Sequence, residues 1–190
     1  MLQDQLNRVA HLWRYCEQTQ ASQIAEFAIS LPLLAVVVIG ITDFGSAFDL
    51  KYKLSNAVRA GARVVSTQNT SDVTNAIPPS VTTVRDAVDS YLVGDRVNDC
   101  GLATASPAHA GLVWTYTANT RCPGGGTLTL IVDRGKTFQT TGGVTVETTR
   151  VSISYPFRWR FSGVIDVLIP NARYLGLSYI KNEAVMQNLN

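Results

Sequence analysis

The sequence predicts an α+β protein: a long N-terminal helix, transmembrane and then amphipathic, followed by a small domain with one further helix and an antiparallel β-sheet. Three observations predict it. An uncharged apolar run, Phe27 to Thr42, lies near the N-terminus. Beyond it, Leu50, Leu54, Val58, Gly61 and Val65 recur at helical spacing. From Leu112 onward, apolar positions alternate with threonines between glycine-rich turns, the pattern of antiparallel strands.

Composition narrows the function classes. The 190 residues carry 16 Lys and Arg against 14 Asp and Glu, a net charge of +2. That balance excludes a strongly basic nucleic-acid binder and an acidic tail protein. Charged residues are 16% and hydrophobic ones 46%, against about 25% charged in ordinary soluble domains. A wholly disordered chain is excluded. The length accommodates one compact domain and one appendage.

Residues 1–21 form a polar leader rich in glutamine, with no net charge. From Ile24 to Thr42 the sole charged residue is Glu26. At about 1.5 Å per residue this stretch nearly crosses a hydrocarbon core of about 30 Å. Pro32 falls in its first third and bends a helix there without ending it. A signal peptide would have a shorter apolar core and a cleavage site; this run instead passes directly into Asp43-Phe44-Gly45-Ser46-Ala47-Phe48. Arg14 before the run and Lys51 and Lys53 after it do not fix its orientation.

The amphipathic helix is expected to end near Thr67, so that three segments result: 1–21, 22–67 and 68–190. Small residues at Ala57, Ala60, Gly61 and Ala62 permit close approach of a partner helix or a sheet. After a loop ending in Pro78-Pro79, Val81 to Val93 reads as a helix stopped by Gly94. Asn98 to His109 reads as loop. Strands follow around residues 112–117, 128–132 and 144–155, with a bulge near Glu147–Arg150 where the alternation changes phase. Arg173 to Lys181 is the last strand candidate.

Cys100 and Cys122 lie 22 positions apart without zinc-ligand spacing. A disulfide closing a surface loop would place this domain in an oxidising, extracytoplasmic compartment; two unpaired buried thiols are the alternative. Cys16 stands alone. No catalytic constellation and no metal or cofactor site is expected. His109 lacks a partner for nucleophilic chemistry, and Asp133 and Asp166 are isolated carboxylates. The segment Tyr155-Pro156-Phe157-Arg158-Trp159-Arg160-Phe161 interleaves aromatics with arginines. It fits a sheet strand with an aromatic core face, a membrane-interface element (Phe157, Arg158, Trp159, Arg160), or a single-strand nucleic-acid platform.

Glu26 heads the apolar run. It fits either an acid at headgroup level or an intramembrane carboxylate, which is a functional hypothesis by default. Its neighbourhood, Ala25-Glu26-Phe27-Ala28-Ile29-Ser30-Leu31-Pro32-Leu33-Leu34, resembles the N-terminus of TadE-like proteins, pilin-like proteins of the tight-adherence (Flp pilus) machinery. The likeness continues through Gly40–Gly45 and Asn56–Arg63, and returns weakly at Val151–Phe157 and Asn182–Met186.

The resemblance implies a membrane-anchored minor pilin or pseudopilin that acts by assembly and is not an enzyme. A prepilin peptidase would cut between Ala21 and Ser22, four positions ahead of Glu26; Ala21 stands where the family usually has Gly. Glu26 would offset the new N-terminal amine of a neighbouring subunit. The leader would be cytoplasmic and the C-terminal domain extracytoplasmic, on the bacterial inner membrane. Phe27, Pro32, Leu54, Val58 and Gly61 would pack against subunits or membrane. The implied partners are other pilin-like subunits, the pilus assembly or secretion machinery, the peptidase and membrane lipid, with no nucleic acid. The alternative is a single-pass anchored binding or adhesive module that never joins a pilus.

Overall fold

The computed structural model describes residues 19–160 and 177–189. These form helix α1 (Thr19–Ser66), helix α2 (Pro79–Gly94), and strands β1 (Pro107–Ala110), β2 (Val113–Ala118), β3 (Leu128–Gln139), β4 (Thr145–Arg158) and β5 (Leu177–Gln187), with short 3₁₀ turns at Leu102–Thr104 and Pro123–Gly125. The strands make one antiparallel sheet in the order β1-β2-β3-β4-β5. The fold is α+β, as the helical and alternating periods predict.

The chain divides into two compact units, Met1–Thr42 and Asp43–Asn190. In the first, the apolar side chains of helix α1 are largely exposed among the described residues: Ile24, Phe27, Ile29, Leu33 and Ile41 are each 65–78% exposed. In the second, the rest of α1 lies against the sheet. Leu54, Ala57, Val58, Gly61, Ala62 and Val65 are buried, a spacing of three and one that keeps one helix face inward. Helix α2 starts with Pro79, whose missing N–H is no loss in a first turn. It buries Val81, Val84, Val88 and Leu92.

The sheet supplies the other half of the core. In-register neighbours Trp114, Val132 and Val151 form one row, and Tyr116, Leu130 and Ile153 the next; all six are at most 2% exposed. Two helices and one sheet face meet at Gly61. A Cβ built there would stand 2.9 Å from Val88 Cγ2, 3.1 Å from Val84 Cγ1 and 3.6 Å from Val151 Cγ1. The small-residue cluster of α1 therefore makes its close approach inside the domain.

The irregularity in the β3–β4 ladder lies opposite the expected place. Asp133 pairs with Arg150 and Lys136 with Thr148, so the extra residue is on β3, at Arg134-Gly135, while Thr148 and Thr149 of β4 are both buried. The bulge turns Arg134 inward. Its guanidinium donates to Ser80 Oγ and to the carbonyls of Gln68 and Asn69, and lies 3.6 Å from Asp72. Asp72 in turn accepts from Ser80 N–H and Oγ–H at the start of α2. One buried cation thus ties the 67–78 loop to sheet and helix. Burial holds its pKa below the usual arginine value.

Two readings of the sequence change. Pro107–Ala110, expected as loop, is an edge strand paired to β2; four small or polar residues carry no alternation for periodicity to detect. Strand β5 runs on to Gln187, past the expected end at Lys181. Asn182 and Glu183 interrupt its apolar pattern, yet Asn182 is satisfied by donating to the Lys51 carbonyl at 2.9 Å. Arg173–Gly176 of the expected strand lie outside the described residues, as do the leader through Gln18 and the run from Phe161 onward to Gly176.

The packing makes a paired prediction. Gly61→Leu overfills the junction with Val84 and Val88 and is expected to lower stability by about 1–3 kcal/mol. Gly45→Ala, in the same helix with nothing within 4 Å, is expected to raise it by up to about 1 kcal/mol. The urea midpoint of the detergent-solubilised chain, followed by near-UV circular dichroism, checks both signs.

Candidate membrane span and assembly segment

By length and composition, Gln23–Ser66 is a helix that can cross a membrane. Only its first part is apolar on all faces, because its second part is built into the domain core. Ser30 Oγ–H donates to the Glu26 carbonyl at 2.7 Å, and Thr42 does likewise to Ile39 at 2.8 Å, which hides polar hydrogens in apolar surroundings. Pro32 lies inside the unbroken helix. Glu26 is exposed, so its carboxylate faces whatever surrounds this segment. Ala21 and Ser22 lie within the helical range.

The residues expected to pack against subunits or membrane separate into two groups. Phe27 and Pro32 are on the exposed apolar segment. Leu54, Val58 and Gly61 face the domain's own core and are not open to a second subunit. The apolar stripe that α1 leaves uncovered in the second unit is Phe44, Phe48 and Tyr52, each 59–68% exposed. The sequence reading missed this stripe, although its four-residue spacing was a usable signal.

Cys100 and Cys122 stand at disulfide distance, with Cα–Cα 4.9 Å. Cys100 adopts a left-handed backbone, φ +58°, held by Asn98: its side chain accepts from Cys100 N–H at 2.8 Å and donates to the Arg121 carbonyl at 2.7 Å. The Asn98 carbonyl accepts from Tyr155 Oη at 2.8 Å. The bridged loop is thereby fastened to β4. Burial, and secondarily the nearby Asp99, push the Tyr155 phenol up to about 12.

His109 and Asp133 do not converge. His109 sits opposite Trp114 and Asp133 opposite Val113, adjacent positions whose side chains leave opposite faces of the sheet. Asp133 is held by Arg150 at 3.2 Å and by Gly135 N–H at 3.1 Å. Asp89 has its carboxyl pKa raised by burial, then by Asp99 and Asp86, with no nucleophile or imidazole in that set. Among the described residues no group of three or more His, Cys, Asp or Glu is placed to hold a metal ion. Asp166 lies outside them.

The aromatic–arginine segment is split by the strand end. Tyr155 is in the core, Phe157 is half-buried, and Trp159 follows the last strand residue, Arg158. Trp159 packs edge-on against Phe44 at 5.3 Å and Phe157 at 5.0 Å between ring centroids. Its indole N–H donates to Ser178 Oγ at 2.8 Å. Arg158 and Arg160 are exposed.

Two outcomes follow for the bridged loop. Cys100→Ala with Cys122→Ala is expected to cost about 3 kcal/mol, read as a lower denaturant midpoint. Tyr155 contributes stability that is fully present below its unfolded pKa of 10.0 and is lost as pH rises through about 12. Tyr155→Phe is expected to cost about 1 kcal/mol at neutral pH and to flatten the stability loss across that alkaline window, measured by urea titrations at stepped pH.

No curated protein and no solved structure matches the chain. A family model, that of the TadE-like proteins, matches residues 21–63. The matched stretch is helix α1 from the exposed apolar segment to the core-packed one, with Glu26 near its start: this chain carries a TadE-like segment at its N-terminus.

Proposed function

We propose that the protein is a membrane-anchored TadE-like minor pilin or pseudopilin that acts in assembly of tight-adherence (Flp-type) pili, and that it works as a structural subunit and not as an enzyme. The observation that carries this reading is that the TadE-like match begins in a helical segment whose apolar side chains, Phe27, Ile29, Leu33 and Ile41 among them, stand exposed among the described residues. Such a surface costs about 25 cal/mol per Å² if left in water, and a bilayer or a neighbouring apolar helix removes that cost. The disulfide-distance cysteine pair favours an oxidising compartment for the C-terminal domain; on this reading the leader is cytoplasmic and the anchor lies in the bacterial inner membrane.

On this reading a prepilin peptidase removes the leader between Ala21 and Ser22. The freed amine of one subunit then pairs with Glu26 of a neighbour, so that two charges share a low-dielectric site. The second reading, an anchored extracytoplasmic binding module, predicts no processing and no need for Glu26.

The first test is the N-terminal residue of the protein isolated from its native membrane, by intact mass and terminal-peptide analysis. A start at Ser22 is expected. A start at Met1 overturns processing and favours the anchored module; a start beyond Thr42 removes the anchor altogether. Glu26→Ala is expected to leave membrane levels intact and to reduce co-purification with pilin-like subunits by about a hundredfold, the effect of stranding one charge of a buried pair.

A further inference from the structure

The end of β4 and the second-unit part of α1 build a surface that the assembly reading does not use. Phe44, Phe157 and Trp159 form a contiguous aromatic cluster. Beside it lies a groove of about 330 Å³ lined by Lys53, Arg96, Arg158 and Arg160, together with Asp43 and Asp49. Asp49 holds Lys53 at 2.9 Å, and Asp43 is buried at 3% exposure. Arg96, Arg158 and Arg160 have no ion-pair partner among the described residues. Three guanidiniums without an ion-pair partner among the described residues therefore flank aromatic rings, one of which, Phe44, is 59% exposed.

We infer that this aromatic–arginine surface seats the domain on the lipid headgroups of a bilayer containing anionic phospholipid. The inference rests on the membrane-anchor reading above. Phe44 follows by two residues the apolar segment that ends at Thr42, so at about 1.5 Å per residue it falls within about 3 Å of the end of the span. Tryptophan is enriched at that level, where an apolar ring body and a polar tip both find partners. Trp159 has this division, with its N–H on Ser178 and its rings on Phe44 and Phe157. Arginine adds attraction to anionic headgroups, and its aliphatic stem lies along apolar surface. The Arg158 stem passes close to Gly124, where an added Cβ would stand 3.8 Å from its Cδ.

The test uses the full chain in vesicles of equimolar phosphatidylcholine and phosphatidylglycerol, with bromine placed near the headgroups or near the bilayer centre. Trp13→Phe is the background, and the difference from Trp13→Phe/Trp159→Phe isolates Trp159. Buried Trp114, which donates to the Ala76 carbonyl, reports folding in every variant. Shallow bromine is expected to quench Trp159 about twofold more than deep bromine. Brominated phosphatidylglycerol should quench it more than brominated phosphatidylcholine. In Arg158→Gln/Arg160→Gln that lipid preference should fall by about fivefold per arginine. A Leu34→Trp probe in Trp13→Phe/Trp159→Phe tests the anchor separately and should be quenched by deep bromine. Deep quenching of the Leu34→Trp probe with no quenching of Trp159 overturns the inference and leaves the anchor standing. Absence of quenching at Leu34→Trp overturns both. Trp159 quenching with no lipid preference overturns the arginine contribution.

Discussion

The close approach of α1 to α2 and β4 at Gly61 is the contact on which the rest of the domain depends. With hydrogen in place of a side chain, Val84, Val88 and Val151 converge on the helix backbone. Both helices can then lie on one face of a single sheet. Glycine in a helix interior costs about 1 kcal/mol in propensity, and the packing of three valines offsets that cost. Ala57 and Ala62 on the neighbouring turns of α1 are also fully buried.

Helix α1 runs through two environments. From Asp43 onward, one face satisfies the domain core and the other carries Phe44, Phe48 and Tyr52. Before that point, Phe27 to Thr42 carries no charge and most of its apolar side chains are exposed. A helix that is apolar all round is stable in lipid or inside other protein, and among the described residues nothing buries the apolar side chains of the first unit. The TadE-like match spans both environments.

The polar parts of the structure answer to the same economy of layers. A two-layer domain leaves its loops with few apolar contacts, and two devices replace them. Arg134, turned inward by the bulge, gathers the 67–78 loop and the start of α2 through carbonyls, Ser80 and Asp72. The bridged cysteines, with Asn98 and Tyr155, gather the loops after α2 and after β2. Each device ties backbone groups of separate segments together through hydrogen bonds.

Local periodicity determined much of this protein. The apolar run, the inward face of α1, helix α2 and the alternating cores of β2, β3 and β4 were all legible, because side chains three or four apart in a helix, or two apart in a strand, share a face whatever lies opposite. The Glu26 neighbourhood was legible as a motif. Tertiary structure alone decided the remainder. Spacing showed that Leu54, Val58 and Gly61 form a stripe, but not whether the stripe meets another subunit or this chain's own sheet. Alternation required a change of phase near Glu147–Arg150, but a ladder has two strands, and the extra residue fell on the other one. The strand character of Pro107–Ala110 comes from pairing with β2 and from nothing in its own residues. Even the aromatic–arginine segment needed the fold to divide it, since only the position of the strand end separates Tyr155 in the core from Trp159 beside Phe44. What a residue faces depends on contacts distant in the chain, and a sequence pattern carries the period of a face without naming its neighbour.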